Sequence, residues 1–359
     1  MSELGQSVWI DYLSRDLLRS GKLERMMRED AVVGVTSNPT IFQKAIAGSR
    51  EYDEQLRRAR AETDDPKEVF LRLAAQDVGD ACDLLRGVYD RAGGLHRDGF
   101  VSIEVDPGFA YDTEATTAEA ERLHALIDRP NLLVKIPATK PGLPAIEDTI
   151  AAGRSVNVTL IFSVERYTEV AEAYLRGLER LVADGGDPRH VASVASFFVS
   201  RVDTETDRRL DEIGGHDRLK GKLAVANARL AYQRYKTLFS GERWAYLASK
   251  GATSQRCLWA STSTKNPAYS DVMYVEELIG PETVNTLPEE TIQAFQDHGR
   301  PRPSLEEGIE AAREVFERTA EAGIDYEDVT ATLERKGVDS FAESFDALLD
   351  GIRESSREM

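Results

Sequence analysis

A lysine stands where the chain otherwise places only apolar side chains. Residues 131–140 read NLLVKIPATK, and Lys135 interrupts the run of Leu132, Leu133, Val134, Ile136 and Pro137. Branched apolar residues closed by a Pro/Gly signal predict a strand buried on both faces. A lysine is rarely buried there without a reason. In water, a lysine of pKa near 10.4 leaves about one amine in a few thousand neutral at pH 7. Desolvation disfavours the ammonium form. Tuned to about 7–8, a lysine offers ~10% or more of itself as a nucleophilic amine. Such an amine can form a Schiff base with a ketone. The competing reading is a side chain that snorkels from the strand end to water.

The elements that would position this lysine alternate along the chain. Strand candidates are SVWID (7–11), GVTSN (34–38), VSIEVD (101–106), the lysine segment, VNVTLIF (156–162), VASVASFFV (191–199), RCLWAST (256–262) and ETVNTLP (282–288). Between them lie helical stretches: 12–30, 50–92 with a break near Pro66, 114–127, a stripe from Tyr167 to Leu181, and 222–239. Asn38 followed by Pro39 reads as a helix cap with proline at the first helical position. The tail from 304 is helical, its last apolar stripe marked by Phe341, Phe345, Leu348, Leu349 and Ile352. Strands alternating with helices predict a parallel sheet with crossover helices. Eight of them close a (β/α)₈ TIM barrel. An open doubly wound sheet is the alternative, but no Gly-rich GxGxxG turn supports it. The expected organisation is one barrel domain over 1–359, with a helical extension, 304–359, packed on it.

A barrel of this kind carries its site at the C-terminal ends of the strands. The polar residues near those ends are Asp11, Asn38, Glu104 with Asp106, Lys135, Asn157 with Thr159, Ser196, and Ser261. Alternation puts Asn157 and Thr159 on one face of their strand, and Ser196 and Phe198 on one face of theirs. Each has an ordinary role available: Asn38 as a cap, Asp11 and Asp106 as turn starters, Thr159 as a β-branched strand residue. Their convergence on one end with a buried lysine favours a site.

Composition excludes several classes. The 359 residues are 41% hydrophobic and 30% charged, which suits a globular protein with a sizeable core. A net charge of −18 argues against a nucleic-acid or anionic-membrane partner. An anionic substrate would need basic residues concentrated locally. Cys82 and Cys257 show no paired spacing and read as reduced thiols of a cytoplasmic protein. The N-terminus has no signal-peptide pattern, and no apolar run approaches a membrane span. The five histidines, His96, His124, His190, His216 and His298, show no metal-ligand spacing. No GxSxG elbow or P-loop occurs, and Met26–Met27 reads as helix packing.

Three segments, GVTSNPTIF (34–42), LLVKIPAT (132–139) and SVNVTLIFS (155–163), resemble the signature regions of the transaldolase family in its longer bacterial form. The resemblance runs over roughly residues 7 to 266. It implies a (β/α)₈ barrel of the class I aldolase type and no metal or organic cofactor. By resemblance, Lys135 forms the Schiff base and Asp11 is the acid/base at the carbon–carbon bond. Glu104 would work with Thr159 and a water in proton transfer. Asn38, Asn157 and Ser196 match positions that hold the dihydroxyacetone hydroxyls, and Arg201 matches a phosphate-binding arginine. Ser261 joins the substrate-binding set. Where the family carries an SFRN-like segment, this chain has STSTKN (261–266), so Lys265 is the candidate for the second phosphate-binding cation. Lysine there is a point charge and not a bidentate fork.

The implied reaction moves dihydroxyacetone from sedoheptulose 7-phosphate to glyceraldehyde 3-phosphate, giving erythrose 4-phosphate and fructose 6-phosphate. Sugar phosphates are then the partners, and a monomer or homodimer is expected. Two alternatives stand beside it. A related aldolase would release free dihydroxyacetone, but those enzymes carry Tyr where this chain has Phe198. A non-catalytic sugar-phosphate-binding barrel would need no nucleophilic lysine, yet Lys135, Asp11 and Glu104 occur together.

Overall fold

The structure, a computed structural model, describes residues 1–91 and 97–354. His96 and positions 355–359 of the expected C-terminal extension lie outside the described residues. Eight parallel strands close into a barrel in chain order. They are β1 (Gln6–Ile10), β2 (Val32–Thr36), β3 (Val101–Glu104), β4 (Leu132–Pro137), β5 (Val156–Ile161), β6 (Ser193–Phe198), β7 (Arg256–Ala260) and β8 (Thr283–Leu287). Closure is made by β1 against β8, from Gln6 opposite Thr283 to Ile10 opposite Leu287. The expected (β/α)₈ architecture is therefore the one observed. Every residue of β4, β5, β6, β7 and β8 is buried, as expected for parallel strands covered on both faces.

Register decides what meets at the mouth. Glu104 of β3 pairs with Lys135 of β4, and Lys135 pairs with Asn157 of β5. Laterally paired residues of a parallel sheet face the same way, so three polar residues from three strands share one row of the interior. The β5–β6 register shifts between Val158 and Ile161, and Leu160 there has φ +59°. Non-glycine residues rarely adopt that conformation, and such strain gathers at functional sites.

Helices cover the outside by their apolar stripes. The helix Val164–Ala183 buries Tyr167, Val170, Ala171, Tyr174, Leu178 and Leu181, and Ser163 caps it by accepting from Arg166 N at 3.0 Å. Residues 12–30 depart from expectation, forming two helices, Arg15–Arg19 and Lys22–Glu29. Gly21 lies between them at φ +72°, a left-handed conformation that ends one helix and starts the next. The 50–91 part of the next stretch breaks near Pro66 as expected, with Asp53–Glu62 followed by Pro66–Arg91 and proline opening the second helix, while position 92 lies outside the described residues. The tail divides at Gly323, φ +91°, into Ile309–Glu321 and Tyr326–Glu354.

The last helix, 29 residues, is ~43 Å long at 1.5 Å per residue. It touches the helix after β2 through Thr40 Oγ1 and Ser344 Oγ, 2.7 Å apart. Near its start, Tyr326 Oη accepts from Val164 N just after β5, at 3.2 Å. Its Lys336 pairs at 2.9 Å with Glu205 on the helix after β6. An element that meets three helices beginning at the strand ends must cross the mouth of the barrel.

The barrel wall is closely packed between β1 and β2. Trp9 is fully buried, and a Cβ on Gly34 would stand 2.5 Å from its Cδ2. Gly34→Ala is expected to destabilise the protein by about 1–3 kcal/mol, the usual cost of overpacking. Denaturant unfolding measures it; a loss below about 0.5 kcal/mol would show a wall that yields there.

Candidate active site

The mouth holds a cavity of about 230 Å³ whose floor is Lys135. Lys135 is 5% exposed; its Nζ donates to Ser37 O at 3.0 Å and lies 3.4 Å from Glu104 Oε2. Ser37 stands just beyond β2, next to Asn38, so the chain turning out of one strand reaches the lysine of another. Snorkelling to water is thereby ruled out: the ammonium is satisfied inside the protein. Lys140, by contrast, lies on the loop after β4 with its side chain 65% exposed and paired to Glu169.

Two carboxylates share this interior. Asp11 follows β1 directly and accepts from Thr36 Oγ1 at 2.8 Å. That hydroxyl lies 2.6 Å from Thr286 Oγ1, which can donate to it in turn. Burial pushes the Asp11 carboxyl above its ordinary value, while Lys135, the Thr36 bond and Arg201 pull it back. Burial also raises Glu104; Lys135 and Arg201 oppose that rise, and Asp11 adds to it. Both Glu104 oxygens and Thr159 Oγ1 are buried without a hydrogen-bond partner among the described residues. Buried polar groups left this way are available to a substrate or a water.

The remaining candidates fall into two layers. Asn38, Thr159, Ser196, Phe198, Arg201 and Ser261 reach the cavity wall, with Lys265 at the rim. Asn38 also caps the helix Pro39–Ala47, its Oδ1 accepting from Ile41 N at 3.0 Å, so its capping role is the one observed. Its amide nitrogen remains for the cavity. Asn157 sits behind the wall, accepting from Ser196 Oγ at 2.7 Å and donating to Ser102 Oγ at 3.1 Å. It orients Ser196. Ser261 takes φ +56° just after β7, and its hydroxyl meets that of Ser200 at 2.9 Å. Asp106 stays outside the cavity, capping a turn at Gly108 N and pairing with Lys67 at 2.8 Å.

The cations differ in setting. Arg201 lies over the Phe198 ring, 5.1 Å from its centroid, with no carboxylate within 4.0 Å among the described residues. Burial lowers its pKa from the usual guanidinium value, and Glu104 and Asp11 counteract that. A guanidinium without an ion-pair partner, facing a cavity, suits an anion. Lys265 is exposed and donates to Ser263 Oγ at 2.8 Å. Among the described residues, no group of three or more His, Cys, Asp or Glu side chains is arranged to hold a metal ion. His124 is buried against Ser155 O, which burial and Arg154 answer by pushing its pKa down to about 4. Cys82 and Cys257 are buried free thiols.

Sequence reasoning missed Thr36, Thr286, Ser263 and Phe341, all in the cavity wall. Thr36 had a signal, since it alternates with Asn38. Phe341 had none, because only the docking of a distant helix brings it there.

Fold and site together define a (β/α)₈ barrel built around a buried lysine flanked by carboxylates. The chain belongs to the transaldolase/fructose-6-phosphate aldolase family, which it matches over residues 8–352. It is 53% identical over 355 residues to a transaldolase of Frankia alni, covering 98% of this chain and 95% of that protein. A transaldolase of Acidothermus cellulolyticus is 54% identical over 357 residues, 99% and 95% of the two chains. One from Thiobacillus denitrificans is 49% identical over 354 residues, 98% of each.

The raised Asp11 has a consequence for stability. A carboxyl whose folded pKa exceeds its unfolded value stabilises the fold while protonated, and that contribution disappears as pH rises through the raised value. Asp11→Asn is therefore expected to unfold at higher denaturant than the unmodified protein at pH 8. The advantage should shrink as pH falls toward the ordinary aspartate value of 3.8. Lower stability of Asp11→Asn at pH 8 would mean that Lys135 and Arg201 need the Asp11 charge more than burial penalises it.

Proposed function

We infer that this protein is a transaldolase, moving a dihydroxyacetone unit between sugar phosphates through an imine on Lys135. The observation that carries the reading is Lys135 at the floor of the barrel mouth, between Asp11 and Glu104, in a chain of this family. Its amine attacks the ketose C2 carbonyl and water leaves, giving a protonated imine. Asp11 takes the proton of the C4 hydroxyl, the C3–C4 bond breaks, and its electrons pass into the imine. The aldose departs and a three-carbon enamine stays bound. Asn38 and Ser196, the latter fixed by Asn157, hydrogen-bond its hydroxyls. An acceptor aldehyde reforms the bond, with Asp11 returning the proton. Glu104, ion-paired with Lys135 but without a hydrogen-bond partner among the described residues, and Thr159, whose hydroxyl also has none there, hold the water that forms and hydrolyses the imine.

Arg201 and Lys265 bind the phosphate, Ser261 lies beside them, and the donor–acceptor pair is sedoheptulose 7-phosphate and glyceraldehyde 3-phosphate. The reaction so written calls for neither metal nor organic cofactor. No helix of the described residues is long and apolar enough to cross a membrane. Residence in the cytoplasm, a monomeric or homodimeric state and a single domain with its C-terminal helices as an extension complete the proposal.

Sedoheptulose 7-phosphate with glyceraldehyde 3-phosphate should yield fructose 6-phosphate in a coupled assay, and fructose 6-phosphate alone should release dihydroxyacetone slowly. Equal rates with and without acceptor would place the protein with the aldolases of its family. Phe198→Tyr should speed acceptor-independent release, because a phenol can orient or donate the missing proton. Arg201→Ala is expected to raise KM for phosphorylated substrates roughly 10-fold or more, with a smaller effect on kcat, since phosphate contact is largely uniform binding. The reverse pattern would remove Arg201 from phosphate binding.

A further inference from the structure

The cavity wall is mostly hydroxyl, amide and charged groups; beside the small apolar Ala260 and Pro288, it carries two aromatic rings, Phe198 from β6 and Phe341 from the last helix. Phe341 is 5% exposed, and its ring centroid lies 5.9 Å from Lys135 Nζ. We propose that Phe341 is a specificity-determining residue, an apolar wall over Lys135 that keeps water other than the one at Glu104 and Thr159 from the nucleophilic carbon of the intermediate until an aldehyde acceptor arrives. This rests on the Schiff-base reading of Lys135.

The helix Tyr326–Glu354 is held so that this ring stays put. One turn before Phe341, Gly337 approaches β5 so closely that a Cβ would stand 2.9 Å from Leu160 Cδ2 and 3.7 Å from Arg201 Nη1. One turn after it, Phe345 meets Phe70 edge-on at 5.5 Å, and Phe70 meets Phe42 in the same way at 5.5 Å. Arg166 and Glu334 pair at 3.2 Å across the preceding turns. Phe341 is thus the centre of a fixed stripe and not the tip of a mobile loop.

The chemistry at this point needs such a wall. The enamine has two fates. It can add to an aldehyde, or its nucleophilic carbon can take a proton delivered by water. In the second case, hydrolysis of the resulting imine consumes one water and releases dihydroxyacetone and the Lys135 amine. Asp11, Arg201 and Thr159 line the cavity with groups that attract water. A ring face over Lys135 occupies space that water would otherwise take, and the same face favours a cationic nitrogen beneath it. Transfer is then favoured over release by exclusion of water and not by an added catalytic group.

The test is the partition between the two fates, measured as dihydroxyacetone released per fructose 6-phosphate cleaved, at fixed glyceraldehyde 3-phosphate. Phe341→Ala is expected to raise this ratio about fivefold or more. Phe341→Gln, which keeps bulk and helix propensity but brings a polar head, should do the same and serves if the alanine variant does not fold. Phe341→Leu should return the ratio most of the way to the parental value. A purely structural role would lower both fates together and leave the ratio unchanged; that result in folded Ala and Gln variants overturns the proposal. If the unmodified protein shows no acceptor-dependent transfer at all, the transaldolase reading falls and takes this inference with it.

Discussion

The structure depends on keeping charge inside a barrel whose other buried side chains are uncharged or apolar around the mouth. Lys135, Glu104, Asp11 and Arg201 bring two positive and two negative side chains to one mouth, partly shielded from water. None of them would be stable there alone, because an uncompensated buried charge costs several kcal/mol. The burial that raises both carboxyls is opposed in each case first by Lys135. The lysine is therefore an electrostatic keystone as well as the reacting group we propose. Its removal would disturb the protonation of Asp11 and Glu104 at the same time.

Parallel register is what makes that balance a property of the fold. Glu104, Lys135 and Asn157 come from strands separated by whole helices, yet lateral pairing places them in one row. The row is completed from the next shell: Ser102 supports Asn157, Asn157 supports Ser196, and Thr36 supports Asp11. A strongly acidic chain, net −18, meets anionic substrates by the same economy. Among the described residues, Arg201 lines the cavity without an ion-pair partner, while many other basic side chains pair with carboxylates, as Arg176 and Arg180 do with Glu147.

Much of this was legible in the sequence, for physical reasons. Strands buried on both faces must be apolar, so a lysine inside one is conspicuous, and period-two alternation correctly joined Ser196 to Phe198. Thr36 was hidden because a β-branched residue in a strand needs no second explanation. The left-handed turn at Leu160 was invisible, since nothing local asks a leucine for φ +59°. Helix breaks at Gly21 and Gly323 were lost because glycine is tolerated within helices as well as between them. The apolar stripe of the last helix could be read and its packing on the barrel expected, but not which side chains it meets. Phe341 reached the site only through tertiary docking.

The central claim is that Lys135, and no other lysine, carries the intermediate. Borohydride reduction in the presence of fructose 6-phosphate freezes an imine as a stable secondary amine, and peptide fragmentation locates it. The account predicts one three-carbon adduct per chain, on Lys135, absent from Lys135→Ala. An adduct on the exposed Lys140, or one that persists in Lys135→Ala, would contradict it.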